Sequence, residues 1–223
     1  MKYFLYLLFF ILSLQIISFA QPFDELTKAV MKKDTSKVNL LLAGGIDVNV
    51  KQPDTNATVL MVASSYDGYS DMIELLIKRG ADVNAQSNDG KTALMWAAGN
   101  APDAVEALLN HRANVKLKMN DGMTAFLQAV FGVLSGKVTT TVCDLLLKKG
   151  ANVNDELTSI SANGWTALHY AAVNGDVELV KYLIRKGANV NHKSAEGSSA
   201  LYLAKQNGYK EVVNILKKAG ALE

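Results

Sequence analysis

The apolar positions of the chain recur as pairs of short helices, and residues 163–191 hold the clearest copy. Small apolar residues follow Thr166 and predict a first helix that a neighbouring helix can approach closely. The stripe from Val177 to Ile184 has helical spacing and predicts a second helix after the break at Asn174-Gly175. Gly187 suits the left-handed conformation that ends a helix. The pattern therefore predicts a turn, a short helix, a turn and a longer helix.

The same pattern recurs from a helix-start threonine or serine to a terminal glycine, as in Thr166–Gly187 and Ser199–Gly220. One such helix pair buries too little apolar surface to be stable alone, so the copies must stack side by side. We count six units. The outer two, at about 23–50 and 196–223, are interpreted as the caps of the stack.

Recurring phrases mark these units: GADVNA, GANVN, DGKTALMWAA, DGMTAFLQAV and NGWTALHYAA. With a period of about 33 residues, they resemble ankyrin repeats. The resemblance covers the chain from about Phe23 to its end. It implies an all-α solenoid with short β-hairpin loops. Two features depart from the family pattern, because proline is absent from the helix-start phrase and its histidine survives only as His169.

Residues 1–20 have a different character, with one lysine, no acidic residue and a nearly unbroken apolar run that ends in Ser18-Phe19-Ala20. This pattern predicts a secretory signal peptide whose removal leaves a single ankyrin-like domain at 21–223. We therefore expect an exported protein, either periplasmic or secreted. The apolar run is also long enough to span a membrane, so retention of the segment as an N-terminal anchor is the alternative.

The composition argues against a nucleic-acid partner and rules out an internal disulfide. The chain has 23 basic and 21 acidic residues, a near balance that argues against nucleic-acid binding. Its single cysteine, Cys143, cannot form an internal disulfide. Cys143 falls where Val180 lies in the fifth unit, so we interpret it as a small buried hydrophobe rather than a reactive thiol.

The sequence predicts no catalytic, cofactor or metal site, because no base, nucleophile or ligand set is brought together by spacing. His169 lies three residues after Thr166, where we expect it to hydrogen-bond at the helix start. The Asn-Asp-Gly triplets at 88–90 and 120–122 lack the alternating acidic residues of a calcium loop and are interpreted as turns. We predict a non-enzymatic protein without a cofactor. An enzyme with an unrecognised site is the least favoured alternative.

The predicted functional site is a surface. In the ankyrin family that this chain resembles, partners bind at hairpin tips and along the concave side of the first helices. Carrying those positions over gives six candidate partner-binding residues: Lys91, Asn100, Met123, Phe131, Trp165 and Asn174. Several are large and apolar where a solvated loop would favour polar residues, which indicates a contact patch. The alternative is that Met123 and Trp165 pack across neighbouring hairpins.

Two insertions flank the fourth unit, at 132–138 between its helices and at 155–162 in the connection that follows. They are either loops that carry specificity or neutral additions. Together these features predict an exported ankyrin solenoid that binds a protein partner whose identity the sequence does not give. A secreted effector or toxin that acts on another cell is the alternative, and it predicts protein in the culture medium rather than in the envelope.

Overall fold

A computed structural model describes residues 22–160 and 162–222, which form six helix pairs stacked in chain order. The first helices of the pairs are α1 (22–31), α3 (Val59–Ala63), α5 (Ala93–Ala98), α7 (Ala125–Leu134), α9 (Ala167–Val173) and α11 (Ala200–Gln206). The second helices are α2 (Thr35–Ala43), α4 (Ser70–Lys78), α6 (Pro102–Asn110), α8 (Thr140–Lys148), α10 (Val177–Arg185) and α12 (Lys210–Lys218). The expected all-α solenoid of about six helix pairs is confirmed.

A threonine cap and small buried residues define the first helices. Thr58, Thr92 and Thr124 precede α3, α5 and α7, and each side chain accepts a hydrogen bond from the backbone amide three residues further on. The bond satisfies one of the amides that a helix start leaves unpaired. Behind the cap, alanines such as Ala97 and Ala98 are fully buried, so neighbouring first helices pack closely in a row.

The second helices begin with varied capping residues and end at positions of positive φ. At the start of α10, the Asp176 carboxylate accepts a hydrogen bond from the Leu179 amide at 2.9 Å. After the helix, Gly187 has a φ of 88°. Arg112 occupies the equivalent position in the third unit with a φ of 64°, a conformation that costs energy for a residue with a Cβ. The third unit therefore has the less favourable helix end.

Close packing, not positive φ, explains two other glycines. Gly132 is buried in α7, and a Cβ there would lie 2.8 Å from the carbonyl oxygen of Gly99 and 2.7 Å from a methyl of Val138. A Cβ on Gly99 would lie 3.3 Å from the carbonyl oxygen of Gln128, which is tight but less severe. The third and fourth units therefore meet at a backbone-to-backbone contact that only a residue without a side chain permits at position 132.

The insertion at 132–138 differs from the expected loop between two helices. Helix α7 continues through Leu134, so the first three inserted residues lengthen this helix by almost one turn. Val133 and Leu134 are partly buried against the core, which favours the longer helix. Only the remaining residues form the turn that leads to α8.

Asparagines near the hairpin loops join successive units. The Asn154 side chain donates to the Gly187 carbonyl at 3.3 Å and accepts from the Asn189 amide at 2.8 Å. Asn49 and Asn191 each make the same two bonds to the next unit. Lys116 occupies this position in the third unit, and its side chain makes no hydrogen bond within the described residues. The asparagine series is therefore interrupted between the third and fourth units.

The loops between units are hairpin-like rather than built from extended strands. Three isolated antiparallel bridges mark them within the described residues: Lys51 with Thr58, Glu156 with Thr166, and Lys193 with Ser199. The predicted signal peptide, residues 1–20, lies outside the part of the chain that the structure describes. Across 22–160 and 162–222, no helix is both long enough and apolar enough to cross a membrane.

Candidate functional site

The inner face is our name for the surface between the hairpin loops and the exposed sides of the first helices. In the third and fifth units it brings two repeat positions together. One is the residue just before the helix-start threonine, and the other is the fourth residue after it. In the third unit these are Lys91 and Trp96, with the Lys91 ammonium 3.4 Å from the ring centroid. In the fifth unit they are Trp165 and Tyr170, whose ring centroids are 5.1 Å apart. The pair is thus a cation on a ring in one unit and two rings in another.

A groove opens on the inner face at the second and third units. Its volume is about 560 Å³, within the range of small-molecule and side-chain binding sites. The first helices contribute Met61, Val62 and the Trp96 ring to its wall, and Tyr66 borders it with 47% of its surface exposed. We call this site the Trp96 groove. The two hairpin tips that border it are residues 52–57 and 87–89.

Hydrogen bonds hold the two hairpin tips beside each other. The Asn88 amide donates to the Thr55 carbonyl and the Asn88 side chain donates to the Asp54 carbonyl, both at 2.9 Å. These bonds bring Asp54 and Asp89, one from each tip, to the rim of the same groove. No basic residue lines the Trp96 groove in the described part of the chain. Its charged rim is therefore acidic.

The charges next to the groove are unequally engaged. A hydrogen bond from Ser87 lowers the pKa of Asp89, against the opposing effect of partial burial, so this carboxylate is ionised at neutral pH. Burial lowers the pKa of the Lys91 ammonium, while the negative charges of Asp89 and Asp121 raise it. The Asp54 carboxylate is exposed and makes no hydrogen bond or ion pair within the described residues.

The inner face of the fourth and fifth units is filled instead by aromatic rings. Tyr170 packs edge-on against Phe131 at 4.6 Å between centroids and against Trp165 at 5.1 Å, and the Trp165 ring stacks on His169 at 5.9 Å. We call these four residues the Tyr170 cluster. Burial raises the pKa of the Tyr170 hydroxyl, with a further contribution from the charge of Asp121. The Trp165 indole Nε1 is buried and has no hydrogen-bond partner among the described residues.

His169 caps the first helix of the fifth unit, as its position predicts. Its Nδ1 accepts a hydrogen bond from the Thr166 amide at 3.1 Å, and its Nε2 donates to the Ser198 carbonyl at 3.0 Å. This assignment requires the neutral ring with its proton on Nε2. Burial lowers the pKa of His169, and the charge of the nearby His192 lowers it further. The histidine therefore joins the fifth and sixth units.

Five of the six predicted partner-binding residues lie around the two aromatic positions. Lys91 and Asn100 lie beside Trp96, since the Asn100 side chain donates to the Trp96 carbonyl at 3.3 Å. Phe131, Trp165 and Asn174 surround Tyr170.

Asn174 makes the same kind of bond as Asn100, from its side chain to the Tyr170 carbonyl at 2.8 Å. Both asparagines are exposed; Asn174 is the C-cap of α9, and Asn100 follows Gly99, the C-cap of α5. Met123 is partly buried against the core, and no ring contact joins it to either aromatic group in the described residues. The role of all six residues in partner binding stays a prediction.

Sequence reasoning missed Tyr66, Trp96 and Tyr170, which lie at the centre of the two regions. A signal was present, because Trp96 and Tyr170 each stand four residues after the helix-start threonine and just before the buried alanine pair. Large rings at that position cannot enter the close contact between first helices. They must therefore lie on the inner face.

The insertion at 155–162 contains both anchored and exposed residues. Asp155 is buried and forms an ion pair with Lys118 at 3.0 Å, and Leu157 is buried in the core. Ile160 is 99% exposed at the far end of the same loop. The loop is thus fixed at its base and presents an apolar side chain to solvent.

The single thiol of the chain is buried, and the described residues contain no cluster of metal ligands. Cys143 is fully buried in α8, and burial raises the pKa of its thiol to about 12. Within residues 22–160 and 162–222, no group of three or more His, Cys, Asp or Glu side chains could hold a metal ion.

A family model described as ankyrin repeats in three copies matches residues 26–121, 60–156 and 131–222. The ankyrin repeat and KH domain-containing protein mask-1 of Caenorhabditis elegans is 31% identical over 186 residues, which make up 82% of this chain and 6% of that protein. Rabankyrin-5 of Mus musculus is 31% identical over an alignment of 209 residues that covers 88% of this chain and 17% of that protein. The chain thus spans only a small part of these curated relatives.

A solved structure has the same architecture. The crystal structure of the ankyrin repeat domain of Bcl-3, described as a unique member of the IkappaB protein family, matches with a TM-score of 0.75 at 28% identity. The match covers 89% of this chain and 86% of that one.

Proposed function

Because the chain belongs to the ankyrin repeat family, whose repeats are protein–protein interaction modules, we propose that it binds a protein partner on its inner face. Ankyrin repeat domains are generally non-enzymatic binding domains, and we extend that property to this chain. The buried thiol of Cys143 and the capping role of His169 favour this extension, because neither group is free to act on a substrate.

The Trp96 groove is the observation that carries the proposal. It combines an apolar wall with a half-exposed tyrosine and a polar rim, which is the anatomy of a protein-binding hot spot. Aromatic rings supply large contact areas at a low cost in side-chain entropy. A partner segment that enters between the hairpin tips and the first helices would bury Tyr66 and the accessible part of Trp96.

A photocrosslinking amino acid at position 66 tests this proposal in cells that express the protein. Replacement of Tyr66 by p-benzoylphenylalanine should give a covalent adduct of defined mass after illumination. The same replacement of Glu106, which is exposed on α6 in the row of second helices, is the matched control and should give none. Equal adducts at both positions, or no adduct at position 66, would contradict a partner site on the inner face.

The six residues predicted from the sequence can be tested in the same assay. Asn100 and Asn174 are their exposed members, so a crosslinker at either position does not disturb the packing of the rings. Adducts at both positions would extend the partner contact along the inner face from the third to the fifth unit. Adducts at position 66 alone would confine the contact to the Trp96 groove.

We further propose that the protein is exported, on the basis of the apolar segment at residues 1–20. Cell fractionation followed by N-terminal sequencing tests this proposal. Protein in the envelope fraction with a start near Gln21 is the expected result. A start at Met1 in the membrane fraction would indicate a retained anchor, and accumulation in the medium would favour the effector alternative.

A further inference from the structure

We propose that the Trp96 groove selects a basic side chain, arginine or lysine, from an extended segment of the protein partner. This inference rests on the proposed function, and it adds the chemistry of the bound residue. The charged residues that line the groove are Asp54 and Asp89, and both are acidic. An incoming cation therefore meets complementary charge on the rim.

Asp54 is the carboxylate that is available to pair with an incoming cation. The Asp54 side chain is exposed and has no partner within the described residues, whereas Asp89 accepts hydrogen bonds from Ser87 and from the Lys91 amide. Asn88 fixes the backbone of both tips, so Asp54 and Asp89 are held beside the same groove. A guanidinium or ammonium between the tips would give Asp54 its first ion pair.

The wall of the groove suits the rest of a basic side chain. Arginine and lysine carry apolar stems that pack along apolar surface while their charged ends stay at a polar rim. Val62 and the rings of Tyr66 and Trp96 provide that surface. Aromatic faces also attract cations directly, and the planar guanidinium stacks on them.

The protein already places its own ammonium groups on rings beside the groove. Lys91 lies over Trp96 at 3.4 Å from the ring centroid, and Lys33 lies over Tyr69 at 4.4 Å. The Tyr66 ring, which packs on Tyr69 at 5.7 Å, holds no cation in the described residues. Each lysine is held by nearby negative atoms, since Lys33 donates to the Gly68 carbonyl and Lys91 is attracted by Asp89. The environment therefore tolerates an ammonium on an aromatic face, and Tyr66 is the ring left open.

The test uses the ¹⁵N-labelled chain and four small probes. The probes are the N-acetyl N-methylamides of arginine, lysine, norleucine and glutamate. The chain has two tryptophans, so each indole N–H signal reports on one region of the inner face. The arginine and lysine probes should shift the Trp96 signal and leave the Trp165 signal unchanged. The norleucine probe, which has the stem without the charge, should bind about fivefold more weakly, and the glutamate probe more weakly still.

Neutral variants test whether the two rim carboxylates bind the cationic probes. Asp54→Asn and Asp89→Asn keep the shape of both side chains and the acceptor oxygen of Asp89. Each should weaken the arginine probe by a few fold, and the double variant by about tenfold. Glu106→Gln removes an exposed carboxylate on α6 and is the control that should change nothing. Addition of salt should weaken the cationic probes but not norleucine.

The proposal is wrong if norleucine shifts the Trp96 signal as strongly as arginine, or if the double variant binds arginine unchanged. Its failure is distinguishable from failure of the proposed function. Adduct formation at position 66 that is unaffected by the double Asp→Asn variant would retain a partner site and reject charge selection. A charge-selective groove without any adduct would instead reject the protein partner.

Discussion

The Trp96 groove and the Tyr170 cluster occupy the same repeat positions on one face, yet one is open and the other is filled. In the third unit, Lys91 takes the position before the helix-start threonine and leaves the neighbouring Trp96 beside a cavity. In the fifth unit, Trp165 takes that position and packs on Tyr170, while Phe131 covers the other side. The ring four residues after the helix-start threonine therefore stabilises the stack when a second ring packs on it, as on Tyr170. Where no second ring is present, as at Trp96, the ring is available for binding.

The contact at Gly132 joins the third unit, which carries Trp96, to the fourth unit, which carries Phe131, and its loss should have the largest effect. Gly132→Val places atoms within 2.8 Å of the Gly99 carbonyl oxygen and against Val138, and we expect destabilisation of about 3 kcal/mol. The shift in the urea midpoint measures the effect. Gly99→Ala is the matched control, with a nearest contact of 3.3 Å, and should cost less than about 1 kcal/mol. Equal losses would show that the close contact does not limit packing.

Leucine substitutions at the two equivalent positions compare the regions directly. Tyr170→Leu removes two ring pairs, each worth about 0.5–1.5 kcal/mol, and should lower the free energy of unfolding by about 2 kcal/mol. Trp96→Leu removes one cation–ring contact and should cost about 0.5–1 kcal/mol. Chemical denaturation of both variants checks the order. A larger loss at Trp96 would mean that the groove, rather than the cluster, carries the packing.

Acid should loosen the cluster and leave the groove intact. The pKa of His169 is lowered in the folded protein, so the unfolded chain binds more protons as pH falls below about 6.5 and stability decreases over that range. Protonation also ends the hydrogen bond from the Thr166 amide to Nδ1, a cap worth about 1 kcal/mol. Urea midpoints between pH 7 and pH 5 measure how the free energy of unfolding depends on pH. The His169→Asn variant, which lacks the titrating imidazole, is the comparison. An unchanged pH dependence in that variant would assign the effect to another group.

The smallest change in stability is expected at the interface between the third and fourth units, which separates the two regions. Lys116→Asn restores the residue type that bonds to the following unit at Asn49, Asn154 and Asn191. Two added hydrogen bonds at an exposed site should stabilise the protein by about 0.5–1 kcal/mol. Differential scanning calorimetry detects the change as a higher melting temperature. Lys116→Gln, whose longer side chain does not match the geometry, is the control and should leave it unchanged.

Regular features of this fold follow directly from the sequence. The threonine caps, most of the terminal glycines and the paired helices recur about every 33 residues except across the insertions of the fourth unit, and local chemistry determines each of them. His169 was assigned correctly because its partner, the Thr166 amide, is only three residues away. Such interactions depend on neighbours in the chain and need no knowledge of the third dimension.

Contacts between units could not be predicted in the same way. The packing of Phe131 on Tyr170 joins residues from different units, and its existence depends on how closely α7 and α9 approach. The extension of α7 into the insertion depends on burial of Val133 and Leu134. The groove lies where Lys91, rather than a second ring, packs on Trp96. A residue pattern does not indicate such empty space.

The interruption at Lys116 also bears on how the stack unfolds. In a linear array of units, cooperativity depends on the coupling between each unit and its neighbour. Lys116 removes one set of bonds from a single interface, and Arg112 adds the strain of a positive φ beside it. The same interface also contains the close contact of α5 with α7 at Gly132, so these opposing features together determine the coupling between the three units on either side. Trp96 lies in one half and Trp165 in the other, so the two indoles are optical probes that compare the unfolding of the two halves.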